Sequence, residues 1–136
     1  MEDSSHIEIG SASPLLIVRS VPETLAFYRD SLGFEVTFEG PEPNDIFFGI
    51  VQRGRAMLMF KSIDVEPLPN HTQDIGHGIA RWDAYIYVAD PDALAGEFES
   101  RDVEFLVSLS NNSDNLRGFE IRDVNGYVLY FGRPVV

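Results

Sequence analysis

The sequence that points most directly to a fold is Gly118-Phe119-Glu120-Ile121-Arg122-Asp123-Val124-Asn125-Gly126-Tyr127-Val128-Leu129-Tyr130-Phe131-Gly132. Apolar residues alternate with polar ones before Asn125-Gly126 and run almost unbroken after it. An Asn-Gly pair tolerates positive φ at both positions, as a tight type I′ turn requires. The stretch therefore predicts a β-hairpin that turns at Asn125-Gly126.

A weaker hairpin pattern occurs earlier in the chain, where residues 47–51 and 56–60 flank a turn at Arg53-Gly54-Arg55. A strand, a capped helix and another strand are predicted before each hairpin. Ser20 with Glu23 forms a capping-box pattern at the first helix, and Asp90 followed by Pro91 begins the second. Because these signals recur 70 residues apart, the sequence predicts two copies of one β-α-β-β-β unit.

The two modules are predicted at about residues 13–62 and 81–134 of a single domain, and the fold class is α+β. The connection at 63–80 contains Pro67, Pro69, Gly76 and Gly78, and it is too long for an ordinary turn. A functional lid, an interface segment and a linker all remain open for it. A sheet with its helix on one face leaves the other face uncovered, so two such sheets are expected to pair around a shared cleft.

Composition excludes several classes of protein. The 136 residues contain no cysteine, so neither disulfides nor thiol chemistry are expected. The net charge of −12 argues against nucleic-acid binding and weakly favours cationic ligands, although an acidic surface also serves solubility. The N-terminus lacks the features of a signal peptide, and no apolar run is long enough to span a bilayer. We therefore expect a cytoplasmic protein without a membrane partner.

Strand parity predicts which side chains line the cleft. On the strand after Trp82, a small apolar face suits a packed helix, and the opposite face is open. The same parity turns Phe34, Val36 and Phe38 toward the core, opposite Glu35, Thr37 and Glu39. The expected ligand-binding residues are Trp82, Asp83, Tyr85, Tyr87, Glu120 and Tyr130. Aromatic walls with carboxylates suit a flat or cationic organic ligand.

Three stretches, Pro14–Ser20, Phe27–Phe34 and Asp123–Gly126, resemble the vicinal oxygen chelate superfamily of glyoxalases, extradiol dioxygenases and bleomycin resistance proteins. The run from Ile50 to Phe60 is most similar to the bleomycin resistance branch. The resemblance implies paired β-α-β-β-β modules and a homodimer with binding sites in its clefts.

Enzymes of that superfamily hold a divalent metal on strand positions that correspond here to Ser13, Leu58 (or Met59), Asp83 and Tyr130. Only Asp83 is a plausible ligand among them, and one carboxylate does not hold a catalytic ion. His71 and His77 lie in the long connection, and their spacing is not typical of a metal site. Two roles remain open for them: solvated loop residues, or contacts to a metal or ligand. We therefore expect no catalytic residue, no metal and no cofactor.

Three functions remain open at this point. The leading hypothesis is a metal-free binding protein that sequesters a small aromatic or cationic compound in a dimer cleft. The alternative is a metal-dependent lyase, isomerase or dioxygenase whose ligands are displaced from the usual positions. A third is an interaction or regulatory module without a small ligand.

Overall fold

The computed structural model describes residues 6–74, 76–79 and 81–135, which form two four-stranded sheets and three helices. The helices are α1 (Val21–Asp30), α2 (Asn70–Gln73) and α3 (Pro91–Ser100). The strands are β1 (Leu15–Ile17), β2 (Glu35–Glu42), β3 (Asp45–Arg53), β4 (Ala56–Lys61), β5 (Ala84–Tyr87), β6 (Phe105–Asn111), β7 (Leu116–Arg122) and β8 (Val128–Pro134).

Each half of the chain forms one sheet with the same strand order. The first sheet runs β1-β4-β3-β2 and the second runs β5-β8-β7-β6. In both sheets the first strand is parallel to its neighbour and the remaining pairs are antiparallel. The sheets stay open, so the predicted α+β fold class is confirmed.

Local capping chemistry begins both long helices, and ends the first of them, where the sequence predicts. The Ser20 hydroxyl accepts a hydrogen bond from the Glu23 amide at 3.3 Å, and the Asp90 carboxylate accepts one from the Ala93 amide at 3.1 Å. Gly33 follows α1 with φ +72°, a left-handed conformation that suits a residue without Cβ. These caps fix the direction in which each helix leaves its first strand.

The hairpin at Asn125-Gly126 exists, but its predicted turn type is wrong. Gly126 has φ +91°, whereas Asn125 is not among the residues with positive φ. The Gly126 amide donates to the Asp123 carbonyl, and the Asp123 amide donates to the Tyr127 carbonyl. A loop of three residues with a left-handed glycine at its end replaces the two-residue type I′ turn. Asn125 is held by tertiary contacts instead of by turn preference.

One continuous core joins the two halves. The helix-facing sides of both sheets contribute to it, and its largest fully buried side chains include Tyr28, Phe60, Phe98, Phe119 and Phe131. In the second half, the Phe98 ring of α3 meets the rings of Phe119 and Phe131 edge-on at 5.6 and 5.3 Å. Burial of these rings supplies the main driving force for folding.

A β-bulge corrects the predicted orientation of Phe38. Val36 pairs with Val51, but the next paired residue is Phe38 with Ile50, so one residue on β2 lies outside the register. Strand parity reverses at such a bulge. Phe38 is 45% exposed and lies on the open face, in a row of apolar residues that runs across the first sheet as Leu15, Met59, Ile50 and Phe38.

The hairpin of each half contacts the helix of the other half. Arg53, at the first hairpin turn, makes two hydrogen bonds of 2.7 and 2.8 Å to the Glu97 carboxylate on α3. Asp123, at the second hairpin turn, accepts a hydrogen bond of 2.7 Å from the Tyr28 hydroxyl on α1. Residues 53 and 123 are 70 positions apart, as are α1 and α3. We call these two reciprocal contacts the hairpin clasps.

Candidate functional site

A row of side chains crosses the open face of the second sheet. Tyr85 on β5 pairs with Tyr130 on β8, Tyr130 pairs with Glu120 on β7, and Glu120 pairs with Val107 on β6. Directly paired residues point to the same face of a sheet. The register therefore brings two tyrosines and one carboxylate side by side.

Three aromatic rings stack at one end of this row. The Trp82 and Tyr130 ring centroids lie 4.3 Å apart with an interplanar angle of 27°, and those of Tyr85 and Tyr130 lie 5.6 Å apart at 11°. The Trp82 and Tyr85 centroids are also only 6.0 Å apart at 36°, so the three rings form one compact cluster. We call Trp82, Tyr85 and Tyr130 the aromatic stack.

The carboxylate of Glu120 lies next to the stack and carries one ion pair. Its Oε1 accepts a hydrogen bond of 2.9 Å from Arg81 Nη2, and its Oε2 makes no hydrogen bond to a described residue. Both residues line a polar pocket of about 470 Å³ together with Trp82, Gly78, Ile79, Asn112, Ser113 and Asp114. The pocket therefore offers a buried negative charge with one open acceptor.

The Tyr130 hydroxyl is a second open polar group at this place. Tyr130 is 2% exposed, and its hydroxyl has no hydrogen-bond partner in the part of the chain that the structure describes. Burial raises the pKa of this hydroxyl, and Tyr85, Glu120 and Asp114 raise it further. Because a buried hydroxyl without a partner is unfavourable, it lowers the stability of the free protein at this place.

Two glycines make room for the Tyr130 ring. Gly118 and Gly132 stand opposite each other on β7 and β8. A Cβ atom at Gly118 would lie 2.7 Å from the Tyr130 hydroxyl, and one at Gly132 would lie 2.6 Å from the ring. The ring therefore occupies the space that these side chains would fill.

Asp83 has a different environment from the other predicted site residues. Its Oδ1 accepts a hydrogen bond from the Asn70 amide and its Oδ2 accepts one from the Val128 amide, both at 2.8 Å. The Asn70 side chain also donates to the Trp82 carbonyl at 2.7 Å. Asp83 thus ties the long connection to β8, and both of its oxygens are engaged there.

Tyr87 lies at the far end of β5, away from the aromatic stack. It is largely exposed, and it lines a second, mainly apolar groove of about 570 Å³ between β5 and the first hairpin turn. Of the aromatic stack, Tyr85 lines this larger groove and Trp82 lines the polar pocket. The groove has no buried carboxylate among its described lining residues, whereas the polar pocket has that of Glu120. The polar pocket therefore remains the better candidate on chemical grounds.

The histidines of the long connection lie outside the pocket. His71 Nε2 lies 3.0 Å from the Gly126 carbonyl and secures the connection to the second hairpin, and His77 forms an ion-pair contact of 3.3 Å with Asp74. Across residues 6–74, 76–79 and 81–135, no three His, Asp or Glu side chains group as metal ligands would.

The positions that hold a metal in related enzymes do not fit one here. Leu58 is buried in the core, and Tyr130 fills its position with a ring. Asp83 gives both oxygens to backbone amides. Ser13 and Met59 add only one hydroxyl and one thioether, so a divalent ion lacks the several N or O ligands that it needs.

Comparisons with known proteins place this site in a wider context. Residues 5–131 match the model of the Glyoxalase/Bleomycin resistance protein/Dioxygenase superfamily. Among curated proteins, no sequence match is found.

None of the helices in the described ranges is long and apolar enough to cross a membrane.

Several solved structures share the fold. The bleomycin-binding protein of bleomycin-producing Streptomyces verticillus, complexed with copper(II)-bleomycin, is 28% identical with a TM-score of 0.67, and the match covers 92% of this chain and 96% of that one. A second bleomycin-binding protein, complexed with bleomycin, is 19% identical with a TM-score of 0.67 and coverages of 92% and 98%. TioX from Micromonospora sp. ML1 is 17% identical with a TM-score of 0.69 and coverages of 91% and 98%.

Proposed function

Because the chain belongs to the Glyoxalase/Bleomycin resistance protein/Dioxygenase superfamily, we propose that it is a binding protein of the bleomycin-resistance type. It sequesters a small aromatic or cationic compound instead of converting it. The observation that carries this proposal is the aromatic stack beside the buried carboxylate of Glu120.

The chemistry of the pocket favours a flat ligand with a positive charge. A cation over an aromatic face gains about 0.5–2 kcal/mol, and a hydrogen bond to a carboxylate is stronger than one between neutral groups. The net charge of −12 attracts cations from a distance. The similarity to a bleomycin-binding protein at 28% identity supports the same class of function.

We further propose that two copies of the chain form the complete cleft. The open face of the first sheet presents the row Leu15, Met59, Ile50 and Phe38, and no other element of the described chain covers it. An exposed apolar face of this kind favours association. Sedimentation at micromolar concentration tests this part, and a stable monomer would contradict it.

Binding is measured through Trp82, because the sequence contains one tryptophan and it lies in the site. The titrants are bleomycin, naphthamidine as a simple aromatic cation, and naphthamide as its neutral analogue. Tyr130→Ala should weaken binding of a ligand by about 1–3 kcal/mol, which is typical for the loss of a buried aromatic contact. Glu120→Gln should weaken naphthamidine more than naphthamide.

The matched control is Glu99→Gln, which removes an exposed carboxylate from α3 outside the pocket. It should leave all three titrations unchanged. Equal binding by wild type, Tyr130→Ala and Glu120→Gln would show that the site is elsewhere. One tightly bound transition metal per chain, in protein purified without chelator, would contradict a metal-free binding protein.

A further inference from the structure

Among the described residues that line the polar pocket, Arg81 alone carries a charge that opposes a cationic ligand. Its guanidinium makes a single hydrogen bond of 2.9 Å to Glu120 Oε1. The Arg81 side chain is 41% exposed, whereas that of Glu120 is 10% exposed. The ion pair therefore joins a half-exposed partner near solvent to a buried partner in the sheet.

The backbone is anchored directly after Arg81. Gly76 and Gly78, shortly before it, both have positive φ. From the next residue onward the chain is fixed, because the Trp82 carbonyl and the Asp83 carboxylate are bonded to Asn70 and β8. Arg81 is thus the last residue before an anchor, and its side chain can leave Glu120 without disturbing that anchor.

The charges in the pocket explain what Arg81 does in the free protein. A buried carboxylate without a counter-ion is strongly unfavourable, so Arg81 stabilises Glu120 while no ligand is present. Its bond is monodentate, and Glu120 Oε2 and the adjacent Tyr130 hydroxyl remain without partners among the described residues. A planar cation that uses both carboxylate oxygens makes a stronger pair than this one.

We propose that Arg81 is an internal counter-ion of Glu120, which the cationic group of the ligand displaces. This inference rests on the proposed function, because it assigns Glu120 to the ligand. It makes Arg81 a specificity-determining residue: a ligand must carry a cation able to replace a guanidinium, and Arg81 then returns to water. A ligand that binds through the aromatic stack alone does not compete with Arg81.

The test is Arg81→Gln, with the fluorescence of Trp82 as the readout and naphthamidine and naphthamide as the probes. To bind Glu120, naphthamidine must first break the ion pair with Arg81, and the free energy of that pair is lost from its affinity. Because an ion pair with one exposed partner is weak, this loss is small, and Arg81→Gln should tighten naphthamidine binding by about three- to tenfold. Naphthamide binding should stay the same. The control Arg29→Gln removes an equal charge from an exposed pair, Arg29 Nε to Asp30 Oδ1 at 2.8 Å on α1, and should change neither probe.

The double variant Arg81→Gln/Glu120→Gln completes the design. It should lose the gain for naphthamidine, because no carboxylate remains to be freed. If Arg81→Gln binds both probes like wild type, or binds naphthamidine more weakly, Arg81 is not a displaced counter-ion. The proposed site is still supported in that case if Glu120→Gln weakens naphthamidine binding. If neither wild type nor Arg81→Gln binds either probe or bleomycin, the proposed function fails together with this inference.

Discussion

Removal of the Tyr130 hydroxyl should stabilise the free protein. Tyr130→Phe deletes one oxygen and keeps the ring in the aromatic stack. That oxygen is buried and has no hydrogen-bond partner among the described residues. A buried hydroxyl of this kind costs about 1–3 kcal/mol. Phenylalanine avoids this cost, so the free energy of unfolding should rise by about 1 kcal/mol and the melting temperature by about 3–5 °C.

Tyr28→Phe is the matched control, because it deletes the same atom from another buried tyrosine. The Tyr28 hydroxyl donates to Asp123 Oδ2 at 2.7 Å, and both residues are buried. Its loss leaves a buried carboxylate oxygen without that donor, which should destabilise the protein by about 1.5–3 kcal/mol. Two identical chemical changes are thus expected to have opposite signs.

Urea unfolding followed by circular dichroism measures both free energies under one set of conditions. The wild type should lie between the two variants, with Tyr130→Phe above it and Tyr28→Phe below. If Tyr130→Phe destabilises the protein as much as Tyr28→Phe does, the hydroxyl already has a partner in the free protein. The open polar group of the candidate site would then not exist.

Three further predictions concern the structure around the site. Burial raises the pKa of Asp123, against the opposing effect of its hydrogen bonds, so the folded state takes up a proton first as the pH falls. The free energy of unfolding in urea should therefore rise for the wild type, relative to Asp123→Asn, as the pH falls through that raised pKa. At pH values above that pKa, the difference in unfolding free energy between the two proteins should be constant. Gly118→Ala would place a Cβ atom against the Phe131 carbonyl and should lower the unfolding free energy by more than about 2 kcal/mol. Its control is Gly96→Ala, which lies in open space on α3 and should raise the unfolding free energy by about 1 kcal/mol in the same urea titrations. Asp83→Asn should remove one backbone hydrogen bond and speed amide exchange at the long connection, but a salt-dependent loss of naphthamidine binding in this variant would instead place Asp83 in the ligand site.

The sequence predicts the fold well because the deciding signals are local. Ser20 and Asp90 cap their helices with their own side chains, and Gly33 ends α1, so these positions need no knowledge of the rest of the chain. Where distant residues decide, the prediction is wrong. Asn125 donates to Thr24 and accepts from the Arg19 amide, about a hundred residues away, and these contacts set its conformation.

Parity arguments depend on an unbroken register. They are wrong at Phe38 because the bulge on β2 reverses the faces, and no residue pattern in the sequence announces that bulge. On β7 and β8 the register is continuous through Glu120 and Tyr130. Parity arguments therefore apply there without a correction.

Two contacts at or beside the pocket join residues that are far apart in the sequence, and no periodic pattern predicts them. Asp83 pairs with Asn70, and Arg81 pairs with Glu120, across 13 and 39 residues respectively. The sequence alone predicts Asp83 as a ligand contact, which stays a prediction, and it gives no role to Arg81. A charge next to Trp82 was the one available signal for Arg81.

The hairpin clasps have a consequence for chain connectivity. Each half holds the other through equivalent positions, by Arg53 to Glu97 in one direction and by Asp123 to Tyr28 in the other. Neither clasp uses a residue of the long connection, so the two halves are held together independently of the segment that joins them. A circular permutant, opened in the exposed part of the long connection and closed by a flexible linker from residue 135 to residue 6, would therefore keep both clasps and the core between them.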